Sequence, residues 1–163
     1  MSCIAIITAR GGSKRIPRKN IKDFLGKPII AYSIEAAIAS ELFEEVMVST
    51  DDLEIAELSQ KYGAKVPFMR SAKNSDDYAT TSDVLLEVLA EYQKRGRSFE
   101  YGCCLYPTAP FVTAEKLRKA YDFLIQGSYD CIFPVSKYKV PIEYAIRCDG
   151  QRVEFVFPEA YRI

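Results

Sequence analysis

The stretch that decides the fold is Cys3-Ile4-Ala5-Ile6-Ile7-Thr8-Ala9-Arg10-Gly11-Gly12-Ser13-Lys14-Arg15-Ile16-Pro17-Arg18-Lys19-Asn20. Five apolar or small residues run straight into a glycine pair, the pattern of a strand buried on both faces that feeds a loop unable to continue it. Gly11 and Gly12 let the backbone approach a ligand closely. Around them Arg10, Lys14, Arg15, Arg18 and Lys19 place five cations within ten residues. A basic, glycine-rich loop at the end of a buried strand is an anion site, because ligands of open α/β sheets bind at strand ends. The spacing excludes two common phosphate loops. No Gly-Lys-Ser/Thr follows a glycine at the ATPase distance, and Gly-x-Gly-x-x-Gly is absent. The expected ligand is a nucleoside triphosphate.

Working outward, the 163 residues carry 22 basic and 22 acidic side chains and no histidine. The balance gives no global attraction for nucleic acid or for an anionic membrane, so the basic character is local and its ligand small. No apolar run approaches a membrane span, and residues 1–8 lack the basic start and long hydrophobic core of a signal peptide, from which a cytoplasmic protein is expected. Cys3, Cys103, Cys104, Cys131 and Cys148 lie in apolar, strand-like stretches without Cys-x-x-Cys spacing. They are expected to be buried, reduced thiols rather than zinc ligands.

Strand and helix alternate along the chain. Pro28 opens a helix through Ser40 with Ile30, Ile34, Ala37 and Ile38 on its apolar face. Strand two spans 45–50, and Asp52 caps a helix that stops at Gly63. Strand three is expected at 65–70, then a polar loop at 71–81 that carries Asn74, Asp76 and Asp77 and is of the kind that holds ligand rather than core. Thr81 or Ser82 caps the next helix, whose apolar positions are Leu85, Leu86, Val88, Leu89 and Tyr92. Strand four spans 101–105, Thr113 caps a helix to about Gln126, and strand five is expected at 131–135. The segments 145–148 and 152–156 flank Asp149-Gly150-Gln151 and read as an antiparallel hairpin beginning near residue 144. The order predicts one α/β domain over 1–163, a mostly parallel sheet with helices on both faces.

Ala9 to Asn20, Ser49-Thr50-Asp51-Asp52, Arg70 and Tyr106-Pro107-Thr108-Ala109-Pro110 together resemble the CMP-sialic acid synthetase family of cytidylyltransferases, over residues 1 to about 160 and nearest to its pseudaminic acid branch. The resemblance implies a Rossmann-like nucleotidyltransferase fold. It also implies CMP transfer from CTP to a nine-carbon nonulosonic acid with release of pyrophosphate, for cell-surface glycan or flagellin glycosylation. It assigns Arg10 and Lys19 to the triphosphate as the catalytic cations, and Asn20 to the nucleotide. Ala9, Gly11, Gly12, Ser13 and Lys14 complete the loop, while Arg70, Ala79, Thr80 and Thr81 form the cytidine pocket. Tyr106, Thr108 and Asp51 are expected on the acceptor side, with Tyr138 and Lys139 along its far wall.

Magnesium is implied as the cofactor, and the family's metal-binding aspartates fall in a motif outside residues 1–163. Asp51 and Asp52 invite a metal reading too, although capping accounts for Asp52. Two positions depart from the sialic acid pattern: Tyr106 replaces a glutamine, and Glu143 stands where a lysine meets the acidic sugar. The acceptor therefore stays open between pseudaminic acid and another sugar acid such as N-acetylneuraminic acid, and a nucleotide-binding domain without turnover is the third reading. A homodimer is expected, its contact built from the hairpin and the segment outside this sequence.

Overall fold

The computed structural model describes residues 2–150 and 152–161. It divides into two compact units, Met1–Asp130 and Cys131–Ile163. In the first, the elements are β1 (Cys3–Thr8), a short hairpin of β2 (Asp23–Phe24) and β3 (Lys27–Pro28), α1 (Ile29–Ser40), β4 (Glu45–Ser49), α2 (Leu53–Lys61), α3 (Thr81–Lys94), β5 (Tyr101–Leu105) and α4 (Ala114–Gln126). The second holds the antiparallel pair β6 (Ile146–Cys148) and β7 (Val153–Phe155).

β1 is the central strand of a parallel sheet ordered β4-β1-β5. Ile4 lies opposite Glu45 on one side and Gly102 on the other. Because side chains alternate across a strand, Ala5 and Ile7 enter one core with Ile30 and Ile34 of α1, Ile55 of α2 and Leu117 of α4. Ile4 and Ile6 enter the other with Val88 and Tyr92 of α3, against Phe68 and Phe99. Helices thus cover both faces, as a run without polar alternation requires.

Several sequence expectations are corrected. Residues 65–70 do not form a strand: Lys65 makes a single bridge to Met47 and Arg70 N–H reaches the Thr50 carbonyl, while Pro67 between them has no amide for a ladder. Residues 131–135 are likewise irregular and exposed, interrupted by Pro134. Thr80, not Thr81 or Ser82, caps α3, in a reciprocal capping box with Asp83. Ile38, Leu86 and Leu89 point outward, and the buried positions of α3 are Val84, Val88 and Tyr92. All five cysteines are free, but only Cys3 is fully buried; Cys104, Cys131 and Cys148 are exposed. Among the described residues no helix is long and apolar enough to cross a membrane.

Other expectations hold. α1 ends at Ser40, Asp52 caps α2 by accepting from Ile55 N–H at 3.0 Å, and Thr113 caps α4. The hairpin pairs Ile146 with Phe155; Gln151 in its turn lies outside the described residues.

Candidate nucleotide site

β1 ends at Thr8, and the loop that follows forms one wall of a cavity of about 640 Å³. Arg10, Ser13, Lys14, Arg15, Lys19 and Asn20 line it from that loop; Arg70, Asn74, Asp76, Asp77, Ala79, Thr80 and Thr81 line it from the segment before and at the start of α3; Tyr106, Pro107 and Thr108 line it from the end of β5. The structure therefore brings together eleven of the residues that the resemblance assigns to the site: Arg10, Ser13, Lys14, Lys19, Asn20, Arg70, Ala79, Thr80, Thr81, Tyr106 and Thr108. Ala9, Gly11, Gly12 and Asp51 are not part of the lining. Ala9 is buried in the core beneath the loop. Asp51 turns to the loop itself, where its Oδ1 accepts from Gly11 N–H at 2.8 Å. Tyr138, Lys139 and Glu143 belong to the second unit.

The loop is held from below. Asn20 is buried, its Nδ2 donates to the Arg10 carbonyl at 2.8 Å, and its Oδ1 has no hydrogen-bond partner among the described residues. A buried amide oxygen without a partner carries a desolvation cost, which a hydrogen-bond donor brought to it would relieve. Arg18, in the left-handed region at φ 53°, turns back to Asp52 and Glu54 and so secures the loop to the start of α2. This contact, aided by the helix amides, holds the Asp52 carboxyl below the usual carboxylate range.

The loop cations differ in their partners. Arg10 donates to Asp77 Oδ1 at 2.8 Å and to the Asp76 carbonyl, and Lys14 pairs with Asp77 Oδ2. Those contacts, Lys14 first, hold Asp77 below the ordinary carboxylate range. Lys19 and Arg15 form no ion pair with any described residue. Arg70 is buried, with Nε donating to Ser49 Oγ at 2.9 Å and a second nitrogen to the Ser49 carbonyl; burial pushes its pKa down. At the end of β5, Ser33 of α1 donates to the Tyr106 carbonyl at 2.8 Å, and the Tyr106 hydroxyl lies 3.3 Å from Thr81 Oγ1. The polar loop 71–81, expected from sequence to hold ligand, contributes Asn74, Asp76 and Asp77 to the cavity lining; what the sequence did not show is the pairing of Asp77 with Arg10 and Lys14.

Cations on a loop whose backbone is clamped, with an unpartnered amide oxygen and small hydroxyl side chains in the same cavity, make an arrangement chemically able to seat a polyanion. A magnesium cage is not offered by the described residues. No group of three or more carboxylate, thiol or imidazole ligands occurs among them, Asp51 serves the Gly11 amide, and Asp52 serves Arg18 and α2.

Comparison with known proteins agrees with this reading. A cytidylyltransferase family model matches residues 4–145. The chain is 44% identical over 161 residues to the pseudaminic acid cytidylyltransferase of Campylobacter jejuni, covering 99% of this chain and 69% of that protein. It is 39% identical over 122 residues to the CMP-N,N'-diacetyllegionaminic acid synthase of Legionella pneumophila, covering 75% of this chain and 53% of the relative. Among solved structures, a CMP:2-keto-3-deoxy-manno-octonic acid synthetase complexed with CTP superposes with TM-score 0.66 at 25% identity, over 78% of this chain and 49% of the other. The chain thus spans about half the length of that structure and just over two thirds of the Campylobacter protein. A parallel sheet that delivers a clamped basic loop into a cavity, matched by that family over most of its length, means that the chain belongs to the cytidylyltransferases and is of the acylneuraminate cytidylyltransferase type.

Proposed function

We propose that this chain carries the CTP site of an enzyme that transfers CMP to a nonulosonic acid, with pseudaminic acid as the favoured acceptor. The observation that carries the reading is the cavity wall formed by Arg10, Lys14, Lys19 and Asn20 directly after β1. In this reading the acceptor hydroxyl oxygen bonds to the α-phosphorus as the bond to the leaving pyrophosphate breaks, and the hydroxyl proton passes to water. Charge builds on the phosphoryl oxygens and on pyrophosphate, and Arg10 and Lys19 offset it. Asn20 Oδ1 accepts from the ribose. Arg70, Ala79, Thr80 and Thr81 surround the base, and Tyr106 and Thr108 face the acceptor.

Identity to the Campylobacter protein supports the acceptor class. Both units are read as parts of one nucleotidyltransferase domain, acting in the cytoplasm as a homodimer. Magnesium remains an expectation from the family resemblance, and no step above is routed through it. The test is CTP-dependent pyrophosphate release measured with pseudaminic, legionaminic, N-acetylneuraminic and 2-keto-3-deoxy-manno-octonic acids. Release fastest with pseudaminic acid supports the reading. Release fastest with another acid reassigns the acceptor, and CTP binding without release from any of them favours a nucleotide-binding domain.

A further inference from the structure

The contact between the basic loop and the wall at 76–77 involves the very groups a triphosphate would use. Arg10 spends one guanidinium nitrogen on Asp77 Oδ1 and another on the Asp76 carbonyl, while Lys14 takes Asp77 Oδ2. One carboxylate therefore occupies two of the loop's cations with both of its oxygens, in the manner of two oxygens of a phosphate. Asp77 is presented rigidly, because the neighbouring Asp76 Oδ1 accepts from the amides of Tyr78 at 2.9 Å and Ala79 at 2.8 Å. Both aspartates line the cavity. Lys19 lines it as well and has no ion pair among the described residues, so it is ready for an incoming anion before any contact is broken.

We infer that Asp77 is an internal competitor for the phosphate seat: it holds Arg10 and Lys14 until a polyphosphate displaces it, and so sets the charge a ligand must carry to fill the site. The inference rests on the triphosphate reading above only for the identity of the displacing anion. A guanidinium and an ammonium already satisfied by a carboxylate give little net gain to a weak anion, since exchanging one charge-assisted pair for another nearly cancels. A triphosphate or pyrophosphate spans Lys19 as well as Arg10 and Lys14, and the additional cation tips the exchange.

The test is Asp77→Asn in the full chain, with affinities measured calorimetrically for CTP, inorganic pyrophosphate and cytidine at low and moderate salt. Removing the competing charge should tighten CTP and pyrophosphate by a similar factor, roughly 3- to 10-fold, given the usual strength of partly exposed ion pairs. Cytidine, which reaches neither cation, should be unaffected, and the gain should shrink as salt screens the pair. Pyrophosphate binding that is unchanged or weaker in the variant overturns the inference, since Asp77 would then be neutral toward the bound state or needed by it. If pyrophosphate tightens while neither CTP nor cytidine binds either protein, the competitor stands and the cytidylyl reading fails.

Discussion

Gly11 lies so close to Asp52 that a Cβ built on it would stand 2.6 Å from Asp52 Oδ2 and 2.8 Å from Asp52 Cβ. Asp52 cannot easily yield, because it caps α2 through Ile55 N–H and pairs with Arg18. Gly11→Ala should therefore cost about 1–3 kcal/mol of stability and displace the loop. Gly12 has nothing within 4 Å of such a Cβ, so Gly12→Ala should stay within about 0.5 kcal/mol of wild type. Thermal melting of the two variants checks the contrast; equal losses would contradict it.

Asp52 has two roles that substitution can separate. Asp52→Ala removes both the cap and the Arg18 pair, whereas Asp52→Ser keeps a capping oxygen and loses only the pair. The alanine variant should lose about 1–2 kcal/mol, with the serine variant recovering most of it. Because the Arg18 contact and the helix amides lower the Asp52 pKa, its contribution is present above the ordinary carboxylate range and is lost as pH falls through the lowered value. Wild type should therefore lose its advantage over Asp52→Ser in melts below about pH 4. An advantage independent of pH would count against the pair.

A buried carboxylate supports the sheet edge far from the cavity. Glu45, at the start of β4, accepts from the Tyr92 hydroxyl at 2.8 Å, from Arg97 at 2.6 Å and from Lys65 at 3.1 Å. Burial alone would raise its pKa, but these donors hold it below the usual value, so its stabilisation is lost as acid protonates it. Glu45→Ala strands the buried Tyr92 hydroxyl and should cost about 1–3 kcal/mol, while Glu45→Gln should cost less. Denaturant melts of both variants at neutral pH check the order, and a neutral alanine variant would show the cluster to be idle.

How much of this was legible in the sequence depends on the physics of each segment. β1 and its loop were readable because five consecutive apolar or small residues followed by Gly-Gly admit few alternatives, and the caps at Asp52 and Thr113 were readable because capping is local chemistry. The expected strands at 65–70 and 131–135 failed for one reason: hydrophobic β-formers such as Val66 and Phe133 dominated the reading, and Pro67 and Pro134 decided the ladder. The cap of α3 shifted to Thr80 because Asp83 completes a reciprocal pair only from there. Asp77 was invisible as a partner of Arg10 and Lys14, since 67 and 63 residues of chain separate them.

The resemblance to cytidylyltransferases located the loop residues in sequence, but the structure sorted them by what each is doing. Arg18, one of the five loop cations, proves to be a brace to α2 rather than a wall residue. Lys19 is half-buried in the wall with its charge unpaired among the described residues, and Asn20 beside it has an amide oxygen in want of a donor.

The most direct test of a CTP site built on this loop is calorimetric titration of CTP and UTP into the wild-type chain and into Lys19→Ala. The account predicts that CTP binds more tightly than UTP and that Lys19→Ala weakens CTP by about 2 kcal/mol, or roughly 30-fold, through loss of a charge-assisted contact to phosphate. Equal affinity for CTP and UTP, or CTP binding untouched by the loss of Lys19, would contradict it.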